Sequence, residues 1–90
     1  MAEREKIAKD WKARGFGCDL WRDPPGRVWE DYVHDTDELL MVLEGDVEVE
    51  IEGRKLRPKG DEEILIPAGA RHSVRNKGKT ESRWLYGYKR

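Results

Sequence analysis

Apolar positions recur along this chain at two different periods, and the change falls between Gly15 and Gly17. Before it, Ile7 and Trp11 stand four residues apart with Ala8 beside Ile7, a narrow apolar stripe among charged neighbours. That spacing predicts a short helix over residues 2–14, stopped by the two glycines. One stripe is enough to pack the helix on the outside of a domain or against a partner subunit. Beyond Gly17 the period falls to two. Short strands are expected over residues 18–21, 27–34, 38–43, 47–51, 55–57, 63–66, 72–76 and 82–88. Turn residues divide them: Asp23-Pro24-Pro25-Gly26, Asp35-Thr36-Asp37, Glu44-Gly45-Asp46, Glu52-Gly53, Pro58-Lys59-Gly60-Asp61, Pro67-Ala68-Gly69 and Lys77-Gly78-Lys79.

A succession of short strands with closely spaced turns reads as an all-β domain, a small antiparallel barrel or jelly roll with a short N-terminal helix. No helical segment separates the strands, which excludes a parallel sheet built from βαβ units. Val47, Val49 and Ile51 alternate with Glu48, Glu50 and Glu52, the clearest half-buried strand. With Ile64 and Ile66 they form the expected core, and the glutamates a solvated face. Residues 39–43, Leu-Leu-Met-Val-Leu, are apolar on both sides of their strand and need cover outside the barrel as well as inside. The helix, or a stripe of Trp84, Tyr86 and Tyr88, could supply it, and a second copy of the chain could too. A homodimer is therefore expected, the commonest soluble oligomer. Residues 1–17 read as helix and lead-in, and 18–90 as the barrel domain.

Composition narrows the function classes. The 90 residues carry 18 Lys plus Arg against 19 Asp plus Glu, a formal net charge of −1, with signs interspersed rather than in blocks. With a sequence pI of about 6.1, the basic stripe of a nucleic-acid binder is missing. A single cysteine, Cys18, leaves no disulfide within the chain, which suits a reducing compartment. The run from Met1 to Lys6 has no apolar segment of the kind a signal peptide carries, and no apolar run is long enough to span a bilayer. A cytoplasmic protein without nucleic-acid or membrane partners is expected.

The two histidines each sit in a distinctive pattern. His34 is followed by Glu38 and Gly45, and His72 is preceded by Pro67 and Gly69 and followed by Asn76. These two stretches resemble the paired motifs of the cupin superfamily: His-x-His, three or four residues, Glu, six residues, Gly; then Pro-x-Gly, two residues, His, three residues, Asn. Both occur in order, and the resemblance spans about residues 26–88. Two positions depart from it. Tyr32 stands where the first motif has its leading histidine, and six residues separate Gly60 from Pro67 where the family usually has five. The extra residue is expected in a bulge or a longer turn.

The resemblance implies a site in which His34, Glu38 and His72 hold one divalent transition metal. Residues two apart on a strand face the same way, so Tyr32 and His34 share one side, as do Glu38, Leu40 and Val42 on the next strand. Two imidazoles and a carboxylate with open positions suit iron, manganese, nickel, zinc or copper, and ligand type alone does not choose among them. A metal-free barrel in which these are ordinary core residues is the bland alternative, but a buried unpaired Glu38 would then be costly. Tyr32 is expected beside the metal without binding it, as a donor toward a bound water or substrate. Asp35 and Asp37 are corner residues that could replace the missing ligand but more readily face water. Cys18 has no partner base nearby in sequence. The resemblance implies a small-molecule ligand and leaves two functions open: a metal-dependent enzyme of dioxygenase or isomerase type, or a non-catalytic module that binds a small ligand or senses a metal.

Overall fold

The computed structural model describes residues 3–90. Met1 and Ala2, which belong to the leader argument and to the expected helix, lie outside the described residues. Helix α1 (Glu3–Ala13) is followed by β1 (Asp19–Asp23), β2 (Val28–Tyr32), β3 (Glu38–Glu44), β4 (Val47–Ile51), β5 (Arg54–Leu56), β6 (Glu63–Ile66), β7 (His72–Asn76) and β8 (Ser82–Tyr88). The strands form two antiparallel four-stranded sheets, in the orders β1-β8-β3-β6 and β2-β7-β4-β5. Their inner faces meet in a jelly roll. No helix is long and apolar enough to cross a membrane among the described residues.

The expected alternation holds on both sheets. Leu40 and Val42 of β3, Val47 and Val49 of β4, and Ile64 and Ile66 of β6 are buried in one cluster, with Ile51 half-buried against it. Between Gly60 and Pro67, the turn before β6 carries Asp61 at a left-handed φ of 67°. Strand β6 then runs against β3 from Glu63 to Ile66 in unbroken register.

The two-sided apolar strand finds its outer cover within the chain. Leu39 and Met41 pack with Leu85, Trp11 and Phe16 in a second cluster, with Trp11 fully buried. Helix α1 thus closes the outside of β3. Its end is a Schellman motif: Gly15 N–H donates to Lys12 O and Phe16 N–H to Trp11 O, and Gly15 takes the left-handed φ of 91° that this ending requires. Glu63 of β6 then pins the helix. Its carboxylate accepts from Trp11 Nε1 at 3.1 Å and from both terminal nitrogens of Arg14 at 3.0 and 2.7 Å.

Two expectations change here. The Trp84, Tyr86 and Tyr88 stripe does not cover the outside; it points between the sheets. The glutamates of β4 are not simply solvated either. Arg75 of β7 bonds Glu48 and Glu50 and also Glu30 of β2, tying three strands of one sheet together on its outer face. The face that favoured a second copy is taken by α1, and the large apolar side chains left exposed outside include Val28, Val33 and Leu65.

Trp11→Ala should destabilise the fold by about 3–5 kcal/mol, the cost of emptying a fully buried indole site. Glu63→Gln should act more gently and with a pH signature. Hydrogen bonding from Arg14 holds the Glu63 carboxyl below the usual carboxylate range, so its contribution is complete above that range and is lost as pH falls through the folded value. Melting curves of wild type and Glu63→Gln should differ by a few degrees at pH 7 and converge in acid; a gap that widens in acid contradicts the assignment.

Candidate metal centre

Glu38 opens β3 on one sheet, His72 opens β7 on the other, and His34 lies in the connection that carries the chain between them. The corner before β7 locks this connection in place. Gly69 N–H donates to His34 O at 2.7 Å, and Ala68 N–H donates to the Asp37 carboxylate at 2.8 Å. One motif is thereby tied to the other by two backbone N–H donors, one onto a carbonyl and one onto a carboxylate. The remaining motif residues are structural. Gly45 has a φ of 103°, and a Cβ there would lie 2.8 Å from Ser82 Cβ. Asn76 donates to the carbonyls of Asp23, Pro24 and Thr80 and accepts from Gly78 N–H, knitting two turns together.

The three expected ligands converge. His34 Nε2 and His72 Nε2 lie 3.6 and 3.5 Å from Glu38 Oε1, and one ligand atom from each residue falls within 4.8 Å of the others. Neither contact is a hydrogen bond, and Glu38 Oε1 is buried with no hydrogen-bond partner among the described residues. Burial raises the Glu38 carboxyl to about 7. His34 is pushed below its usual value, first by burial and then by His72. His72 Nδ1 is 3.1 Å from Ala70 O. A carbonyl only accepts, so Nδ1 carries the proton and Nε2 turns its lone pair toward Glu38. An unpartnered buried carboxylate oxygen facing two imidazoles is a donor set that fits a divalent cation.

Above these residues lies a cavity of about 210 Å³, walled by Trp21, Trp29, Tyr32, Val74, Trp84, Tyr86 and Tyr88. Tyr88, which pairs with Glu38 across β3 and β8, places its hydroxyl 3.3 Å from His34 Nε2. Burial, with a smaller contribution from the Glu38 charge, raises this phenol to about 12. Tyr32 faces His72 in register across β2 and β7. Its ring lies 6.4 Å from that of His34 and 6.5 Å from that of His72, in the wall of the cavity.

The cupin domain family model matches residues 19–88 of the chain. This protein is a cupin. It is 33% identical over 63 residues to the polyketide synthase protein CurC of Streptomyces cyaneus, covering 70% of this chain and 41% of that one. It is 30% identical over 72 residues to the tetracenomycin polyketide synthase protein TcmJ of Streptomyces glaucescens, covering 80% and 48%. The chain thus spans less than half the length of these curated relatives. An oxalate oxidase solved with the substrate analogue glycolate superposes with a TM-score of 0.74 at 25% identity, covering 84% of this chain and 42% of that one.

Other sequence candidates fall outside the cupin site. Asp37 is spent on Ala68, and Asp35 is exposed. Cys18 packs against the helix-side cluster, where burial raises its thiol. Tyr88, Trp21 and Trp29 were not singled out by spacing as site residues. Tyr88 shared its parity with Trp84 and Tyr86, but parity alone does not say which face is inside. Trp29 was hidden by a bulge. On β2 Trp29 and Tyr32 are three positions apart, while their partners Val74 and His72 are two apart. The bulge turns both rings into the cavity, with Asp31 at a φ of 60° and its N–H donating to Ser73 Oγ at 3.0 Å.

Glu38 gives this site a measurable pH dependence in chelator-treated protein. Its folded pKa lies above the unfolded value, so its favourable contribution is complete below about pH 4.5 and is lost as pH rises through about 7. Wild type should lose on the order of 3 kcal/mol relative to Glu38→Gln between pH 4.5 and 8, read from urea denaturation. Parallel stability profiles for the two proteins would contradict the buried, unpaired carboxylate.

Proposed function

We propose that this cupin holds one divalent transition metal on His34, Glu38 and His72 and presents it to a small organic molecule in the aromatic cavity. The observation that carries the proposal is the Glu38 oxygen, buried without a hydrogen-bond partner and faced by two imidazole nitrogens at 3.5 and 3.6 Å. Leaving such a charge unpaired is expensive, and a cation relieves it. When bound, the metal supplies Lewis acidity toward an oxygen atom of the ligand, and redox chemistry if it is iron. The chain's own residues do the rest. Ala70 O sets the tautomer of His72, the Pro67-Ala68-Gly69 corner fixes His34, and the aromatic wall keeps water from the ligand. The Tyr88 hydroxyl faces the point where the ligand atoms converge, and Tyr32 serves as a donor at the wall.

An enzyme is the favoured reading, supported by the polyketide synthase names of two relatives and by the oxalate oxidase likeness. A non-catalytic binding module is kept on one specific observation. Apart from the three ligands, the titratable groups of the lining are tyrosines, and Tyr88 at about 12 is a poor base at neutral pH. The proposal keeps a homodimer in the cytoplasm, with exposed Val28, Val33 and Leu65, not the covered outside of β3, as the apolar side chains open to a second copy.

Titration of metal-free protein with Co(II), followed by its absorption bands, should show one ion per chain. His72→Ala should weaken uptake by about 100-fold or more, and Tyr32→His, which restores an imidazole at that wall, should tighten it. No uptake by wild type, or equal uptake by His72→Ala, ends the metal-site proposal. Oxygen consumption by iron-loaded protein with candidate substrates separates the enzyme from the binding module.

A further inference from the structure

The cavity wall is organised by a residue that does not face it. Asp23 ends β1 with 2% of its surface exposed, and its carboxylate accepts hydrogen bonds from three indoles. Trp21 Nε1 donates to Oδ1 at 2.8 Å, Trp29 Nε1 lies 3.2 Å from Oδ1 and 3.0 Å from Oδ2, and Trp84 Nε1 donates to Oδ2 at 3.3 Å. The indoles come from three strands on two sheets, and one carboxylate sets all three. This consumes the polar atom of each ring, so what remains for the cavity is apolar and π surface. Trp21 meets Trp29 and Tyr86 edge to face, at interplanar angles of 71° and 81°, so these rings are not stacked face on face with one another. No Lys or Arg lines the cavity among the described residues. Arg27 lies on the Trp29 ring, 4.5 Å from its centroid, without entering the lining.

We propose that the cavity selects a flat, uncharged aromatic ring, held against indoles whose orientation is set by Asp23 as a positioning residue. The size fits: an apolar cavity of about 150 Å³ takes up benzene, and this one is about 210 Å³. The chemistry fits as well. A small dianion would find no cationic side chain in the wall, and two carboxylates, Glu38 and Asp23, lie within or behind it. A cationic ligand would suit aromatic rings, but the divalent ion at His34, Glu38 and His72 would repel it. The choice of a neutral ring over a cation therefore rests on the metal reading above, whereas ring binding itself does not. Three indoles already locked by hydrogen bonds lose little further freedom when a ring enters.

The test is calorimetric titration of metal-free and Co(II)-loaded protein with 2-naphthol, its saturated counterpart 2-decalol, oxalate and tetramethylammonium. Decalol has the same carbon skeleton as naphthol and is no less apolar but is puckered and saturated, so a preference for naphthol shows selection of a flat aromatic ring over apolar bulk. Naphthol should bind both forms at least tenfold more tightly than decalol, and oxalate and tetramethylammonium should bind the loaded form more weakly than naphthol. Trp21→Ala should cost about tenfold in naphthol affinity, equivalent to ~1.4 kcal/mol, while Trp21→Phe should retain most of it. Asp23→Asn should lower the naphthol-to-decalol ratio while Co(II) uptake stays as in wild type. If that variant does not fold, the Trp21 pair decides, because Trp21 is partly exposed. Equal binding of naphthol and decalol, tighter binding of either ion, or an unchanged affinity in Trp21→Ala overturns the proposal. Naphthol binding with no Co(II) uptake would instead support the aromatic cavity and count against the metal site alone.

Discussion

From Glu38 to Val42, strand β3 has no side that faces water, and the rest of the molecule is arranged around that constraint. Its inner side chains, Leu40 and Val42, enter the core between the sheets, and its outer ones, Leu39 and Met41, must also be covered. Helix α1 lies over them because Trp11 is large enough to fill the outer cluster and Glu63 bonds both that indole and Arg14. The strand is held on both edges as well, by β6 and β8. A strand fixed on four sides is a rigid base, and its first residue is Glu38.

That rigidity explains how a buried carboxylate can sit without a hydrogen-bond partner. Register with Ile66 on one neighbour and Tyr88 on the other fixes the backbone of Glu38, so that its side chain enters the space between the sheets on the same face as Leu40 and Val42. His72 arrives from the facing sheet with its tautomer set by Ala70 O. His34 arrives on a connection pinned by amides of the Pro67-Ala68-Gly69 corner. The stability given up at Glu38 is offset by packing elsewhere in the strand. The three side chains are thus held in place by the fold itself.

The same logic operates at the opposite end of β8, where Asp23 pairs with Ser82 as Glu38 pairs with Tyr88, but with the opposite outcome. Asp23 is as buried as Glu38, yet three indole donors satisfy it. One carboxylate is therefore spent on architecture and the other left available. Between them lies a cavity whose wall is nearly all aromatic. Two acidic residues of similar burial acquire different roles from their partners alone.

Much of this was legible in the chain. Alternation in Val47–Ile51 and Ile64–Ile66 marked the core because a side-chain period of two is local. The strands 47–51, 63–66, 72–76 and 82–88 matched their expected bounds. The resemblance to the cupin motifs implied His34, Glu38 and His72 together, and the fold brings one ligand atom of each within 4.8 Å of the others. Other features depended on contacts between residues far apart in sequence. Period two shows that Trp84, Tyr86 and Tyr88 share a face, but only the packing of β8 between β1 and β3 makes that face the inner one. The bulge at Asp31 that turns both Trp29 and Tyr32 inward depends on Ser73 of a neighbouring strand to take the displaced amide. The gathering of three indoles on Asp23 requires strands from two sheets to meet. Local periodicity assigns side chains to faces; which face is buried, and which polar groups meet there, is decided when the sheets close on each other.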